Sequence, residues 1–184
     1  MAETPPVDEK GYVIPATSWK GWWPDLEVVE NIPELRYPEN LTSFEQMQID
    51  PQVSSTVSAV TLPLRSTGWW VEPNGADAEV VQHVCENLGL GVRGVDMTTP
   101  VRTRDRFSFA EHLDLALDSL TYGHSVFEQV ARWDGSRFQL RKLGWRPPRT
   151  IRKWNVARDG GLESIEQHDM DKPLPIENLV VYSH

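Results

Sequence analysis

The sequence predicts an α+β fold in which helices come first and antiparallel β-hairpins follow. Between Thr42 and Gly123 apolar residues recur at helical spacing in segments that open on capping residues. After Gly123 the period shortens to two, and Asp134-Gly135 and Asp159-Gly160-Gly161 mark hairpin turns. Before Thr42 no helical period fits, because Pro5, Pro6, Pro15, Pro24, Pro33 and Pro38 interrupt the chain. The expected organisation is therefore an extended, acidic Pro/Trp-rich arm over 1–41 and one α+β domain over 42–184 with about three core helices.

Each element has a local reason. Thr42-Ser43-Phe44-Glu45 reads as a capping box that opens the ordered part. Asp50-Pro51 offers an N-cap followed by proline at the first helical position, and Val53, Val57, Val60 and Leu64 then form an apolar stripe that Pro63 and Gly68 should end. Trp69 to Glu72 is β-prone and stops at the turn Pro73-Asn74-Gly75. A helix over about Asp77 to Leu88 turns Val80, Val81, Val84, Cys85 and Leu88 inward and ends at Gly89; residues 91–106 read as a loop. Ser108-Phe109-Ala110-Glu111 caps a further helix, carried by Phe109, Leu113, Ala116, Leu117 and Leu120 as far as Gly123. Strands are expected at Ser125–Trp133, Arg137–Leu143, Ile151–Ala157, Leu162–Gln167 and Leu179–Tyr182. The chain stops just after that last strand, which reads as a cut through a longer protein.

A chain of 184 residues, 39% of them hydrophobic, folds without disulfides or metals, and its lone Cys85 sits among Val81, Val84 and Leu88 as a small core residue. No segment reaches the ~18 apolar residues of a membrane span, and the first residues lack a signal pattern, so a soluble protein without a membrane partner is expected. The net charge of -9 opposes general affinity for nucleic acid. Eight tryptophans are many for this length; Trp19, Trp22 and Trp23 fall in the arm, where they need a surface to dock on.

Catalytic and metal constellations are weak. Glu111, Asp114 and Asp118 share one helix face opposite the apolar stripe, the place of a solvated face or of a contact with basic groups. His83 and Cys85 point to different sides of their helix, Gln167-His168-Asp169-Met170-Asp171 reads as a hairpin exit, and His124 follows a helix end where a cation suits the dipole. Phosphate-loop, dinucleotide, nucleophile-elbow and zinc spacings are missing, and no enzyme, cofactor or metal is expected.

Charge is unevenly placed. Between Arg132 and Arg158 stand Arg132, Arg137, Arg141, Lys142, Arg146, Arg149, Arg152, Lys153 and Arg158 against Asp134 alone, together with Trp133, Trp145 and Trp154. A nucleic-acid binding module on these hairpins is one reading of that mixture. The other is contact with acidic protein, for which the arm supplies Glu3, Asp8, Glu9, Asp25, Glu27, Glu30, Glu34 and Glu39 against three cations. The residues expected to carry a contact between subunits are Trp22, Trp23, Glu27, Glu30 and Glu34 on one side and Arg137, Arg141, Arg152 and Lys153 on the other.

The order of the pieces also resembles a known family. Phe44-Glu45-Gln46-Met47, Asp50-Pro51-Gln52-Val53, Leu62-Pro63-Leu64, Trp69-Trp70-Val71-Glu72-Pro73, the run Leu120 to Glu128 and the closing Ile176 to Tyr182 together resemble the portal proteins of tailed bacteriophages, especially the Mu-like group. The resemblance implies the N-terminal arm and wing region of a subunit in a twelve-fold ring at one capsid vertex of the virion, assembled in the host bacterial cytoplasm. It further implies the major capsid protein as neighbour, and double-stranded DNA passing through the channel in packaging and ejection. The stem and clip, with the terminase motor and head-to-tail adaptor they meet, would lie in regions outside this chain.

Overall fold

The computed structural model describes residues 32–95, 101–157 and 160–183, and its class is α+β with antiparallel hairpins. In chain order the elements are α1 (Glu39–Met47), α2 (Pro51–Ser66), β1 (Trp70–Val71), α3 (Ala78–Leu88), β2 (Gly91–Val92), α4 (Phe109–Ala116), α5 (Ser119–Tyr122), β3 (His124–Trp133), β4 (Phe138–Arg146), β5 (Ile151–Val156), β6 (Leu162–Gln167), β7 (Leu174–Pro175) and β8 (Leu179–Ser183). The described residues fall into two compact units, 32–43 with 149–177 and 44–148 with 178–183. The stretch 42–184 is thus shared between both.

The first unit is built on the sheet β5-β6-β7, antiparallel throughout. Leu41, Ile151 and Ile165 are its buried apolar residues. Tyr37 donates its hydroxyl hydrogen bond to the Ile151 carbonyl, and burial pushes its phenol pKa up. Helix α1 starts at Glu39, earlier than the Thr42 capping box suggests. Pro38 presets the backbone ahead of it, Glu39 suits the positive end of the helix dipole, and the Ser43 hydroxyl donates to the Glu34 carbonyl at 2.7 Å.

In the second unit Asp50 caps α2 as expected, its carboxylate accepting the amides of Gln52 at 2.8 Å and Val53 at 3.3 Å. Asp50→Ala is expected to cost about 1 kcal/mol, seen as a lower urea midpoint at unchanged slope, while Asp50→Asn keeps most of the stability. The helix runs through Pro63 rather than ending there. Proline blocks only the bond upstream of itself, and its own carbonyl still accepts the Thr67 amide at 3.0 Å.

The α2 stripe departs from expectation. Thr61 is the helix's buried residue and Arg65 pairs with Asp114 of α4, whereas Val60 is 53% exposed and Leu64 39%. At ~100° per residue, Thr61 and Arg65 stand roughly 70–110° around the helix from the middle of the Val53/Val57/Val60/Leu64 stripe. The helix packs most closely beside the stripe, whose Val53 and Val57 are half-buried while Val60 and Leu64 stay exposed.

Asn74 and Gly75 both have positive φ, 44° and 79°, and the Ala76 amide closes the turn on the Pro73 carbonyl at 2.9 Å, which only an Asn-Gly type of pair does at low strain. Helix α3 buries Val81 and Cys85 and ends on Gly89 as read, but leaves Val80 outside. Strand β2 then pairs parallel with β1 inside the stretch read as a loop. Ser108 caps α4, accepting the Glu111 amide at 3.4 Å; the helix breaks at Leu117-Asp118 and resumes as α5, so the single helix expected is two. Strands β4, β3 and β8 form the second sheet in that order, with β3 central. Val126 and Phe127 at the middle of β3 are fully buried.

Candidate functional site

The basic hairpins are the most charged part of the sequence, and the structure places them in both units: β3 and β4 in the second, β5 and β6 in the first. Most of their cations already hold acids. Arg132 grips Asp105 through Nε at 3.1 Å and Nη2 at 2.7 Å, Arg137 reaches Glu79 at 2.9 Å, and Arg146 pairs with Glu128 across the β3–β4 ladder. In the first unit Arg152 and Lys153 both face Glu166, the latter at 3.7 Å. The Arg152 hydrogen bond, then that of Asn155, holds the Glu166 carboxyl below the usual carboxylate range. Arg141 and Lys142 are exposed and have no ion pair among the described residues.

Of the residues expected at a subunit contact, Arg137, Arg152 and Lys153 therefore carry local acidic partners and Arg141 does not. Glu34 is exposed in the short 3-10 turn Pro33–Leu35. Trp22, Trp23, Glu27 and Glu30 lie outside the described residues.

The hairpin turn is locked by Asp134. Its carboxylate accepts the Gln139 side-chain amide at 2.7 Å and the Arg137 and Ser136 backbone amides at 2.9 Å, which together hold its pKa far below the usual range. Just beyond, Trp133 and Phe138 stack edge-to-face at 5.0 Å, 56% and 67% exposed. This pair is the aromatic tip of the second unit. Trp145 is half-buried and Trp70 lies under Arg93 at 5.6 Å, so tryptophans here are divided between packing and display.

A cleft of about 910 Å³ opens beside α3, over Val81, Cys85, Leu90 and Leu140. Asn87 on its wall is occupied, donating to Gln139 at 2.8 Å and accepting the Leu140 amide of the edge strand. Burial pushes the Cys85 thiol pKa up, away from a reactive thiolate.

The acidic face of α4 meets bases that sequence spacing does not reveal. Glu111 is held in a two-toothed pair by Arg102, and Asp114 takes Arg65 at 2.6 Å. Burial raises the Asp118 carboxyl pKa, Arg65 lowers it and Asp114 raises it further. Among the described residues no three His, Cys, Asp or Glu side chains are grouped to hold a metal, and no helix is long and apolar enough to cross a membrane.

His112, two residues before Asp114 on α4, is a buried polar residue whose partners its spacing does not reveal. Its Nε2 lies 2.9 Å from the Tyr182 hydroxyl, and its ring packs 4.4 Å from Phe127 and 5.7 Å from Phe107. Burial pushes its pKa below the ordinary 6.5 and does the same to His124, which disfavours the cation expected at that helix end. Both are kept neutral in the fold while the unfolded chain takes up protons, so stability is complete above about pH 7 and declines as pH falls through 6.5. Asp118 acts in the opposite sense, its contribution growing as the carboxyl protonates. The urea midpoint should drop between pH 7 and pH 5, and His112→Gln should flatten that slope; an unchanged slope would contradict the burial account.

Comparison with curated proteins gives no match. Comparison with family models gives one over residues 41–184, described as the portal protein of Mu bacteriophage. The match covers far more than half of the chain, and this chain belongs to the Mu bacteriophage portal protein family.

Proposed function

We propose that this chain is the arm and wing part of a portal subunit whose copies close into a ring, twelve-fold by the family resemblance, at the unique capsid vertex. Through that ring DNA enters in packaging and leaves in ejection, and to it the tail attaches. The observation that carries the reading is the family match over 41–184. The role is structural: the subunit contacts its neighbours and the major capsid protein, while motor and adaptor contacts belong to the stem and clip.

Electrostatics supports the same reading. A net charge of -9 lets duplex DNA slide, because no large set of phosphates is neutralised and little counterion release holds the cargo. The rival reading, a nucleic-acid module on residues 132–158, needs free cations, and Arg132, Arg137, Arg146, Arg152 and Lys153 already hold carboxylates. A filter-binding titration of single strands and duplex should therefore give weak binding. Tight binding that collapses steeply with salt would favour the rival.

The contact expected from the sequence joins Trp22, Trp23, Glu27, Glu30 and Glu34 of one copy to Arg137, Arg141, Arg152 and Lys153 of the next; because Arg137, Arg152 and Lys153 hold local acids, we rest it on Arg141. Arg141 tests it most cleanly. Arg141→Glu with Lys142→Glu should leave the unfolding free energy within about 0.5 kcal/mol, because neither residue holds an acid, yet lower ring yield at low salt. Rings of normal yield would remove this patch from the interface.

A further inference from the structure

We propose that the uncharged apolar ridge of α2 is a subunit interface, seated in the notch between α3 and the β3–β4 turn of a second copy. The inference rests on the ring reading above and adds the surfaces that meet.

The ridge runs from Val53 through Val57 and Val60 to Leu64, ~16 Å along the helix, half-buried at Val53 and Val57 and exposed at Val60 and Leu64. No charged residue occurs from Pro51 to Leu64. Val60 is 53% exposed and Leu62, on another side, 63% among the described residues, on a helix whose composition suits burial. The face packed on α4 is used, and Val60 and Leu64 beside it are left exposed by the described residues.

The same unit carries a complementary surface. Glu79, Val80, His83, Ser136, Arg137 and Phe138 line a shallow notch of about 510 Å³. Its apolar walls, Val80 and Phe138, are more than half exposed, and Trp133 extends the wall. The charges on its rim, Arg137 and Glu79, are paired with each other at 2.9 Å, so it presents no net charge to an uncharged helix. A convex aliphatic ridge and a concave aromatic notch match in shape. Beyond the notch Arg141 and Lys142 stand unpaired among the described residues, and Asp50 stands exposed at the N-terminal end of the ridge, giving the contact a charge match and a direction.

Two different patches on one copy make a head-to-tail contact, which closes into a ring where the rotation allows. Pairing α2 with α2 would give a two-fold dimer and stop.

Cross-linking of the full chain tests this. Val60→Cys and Phe138→Cys copies are mixed, assembled and treated with a short bis-maleimide; buried Cys85 gives the background in the parent protein. A cross-linked pair in the mixture, and none in either variant alone, is the expected result. A Val60→Cys pair formed alone, or assembled rings without the mixed pair, overturns the inference while leaving the ring reading intact. A protein that stays monomeric in every sample overturns both. In parallel, Val60→Asp should abolish the ring peak in size-exclusion chromatography with no fall in the melting temperature of the dissociated protein. A lower melting temperature would show that the chain covers its own ridge, and would also overturn the inference.

Discussion

Phe127→Ala is expected to cost about 3–5 kcal/mol of stability, the largest effect of any single change in the second unit. Phe127 is fully buried on β3, the central strand, with neighbours on both sides: Trp145 of β4 and Val180 of β8 lie opposite it in register. Its ring meets His112 at 4.4 Å and stands edge-on to Tyr182 at 5.9 Å. Alanine would remove those contacts and leave a cavity that two hydrogen-bonded ladders prevent from collapsing. For a chain of this size each kcal/mol lowers the melting temperature by about 2–4 °C, so the variant should melt at least several degrees lower. A urea experiment showing a loss under about 1 kcal/mol would mean that β3 is not the centre of this core.

Ile165→Ala should do the same to the first unit, at about 2–5 kcal/mol. Ile165 is fully buried at the middle of β6, opposite Trp154 of β5 and Leu174 of β7. This unit has few fully buried apolar residues, with Leu41 and Ile151 the others among those described, so each carries a large share of its cohesion. The expected signature is loss of hydrogen-exchange protection for the β5 and β6 amides. Protection equal to that of the parent protein would contradict the assignment of Ile165 to the core.

Local chemistry explains what the sequence made legible. The Asp50-Pro51 cap, the Asn74-Gly75 turn, the Gly89 and Gly123 stops and the Asp134 hairpin each need only residues a few positions apart, and all stand in the structure. So does the change of period after Gly123 that gave the fold class. Partners remote in sequence were hidden. Arg137 finds Glu79 58 positions away, and Arg65 finds Asp114 at 49, so the basic hairpins read as bare charge and the α4 acids as a bare face. Strands β2 and β7 are two residues each, too short for a period of two to show. The α2 stripe was visible but not its direction, since periodicity reports that a face is apolar and not what covers it. The arm residues proposed for a subunit contact are legible only as composition, with Trp22, Trp23, Glu27 and Glu30 outside the described residues.

Negative-stain imaging of the purified full-length protein tests the portal assignment most directly. The account predicts closed ring particles of one symmetry with a central channel, formed without added nucleic acid and thinning out as salt rises. Monomers at every salt concentration, or particles that appear only on a single-stranded DNA scaffold, would contradict it.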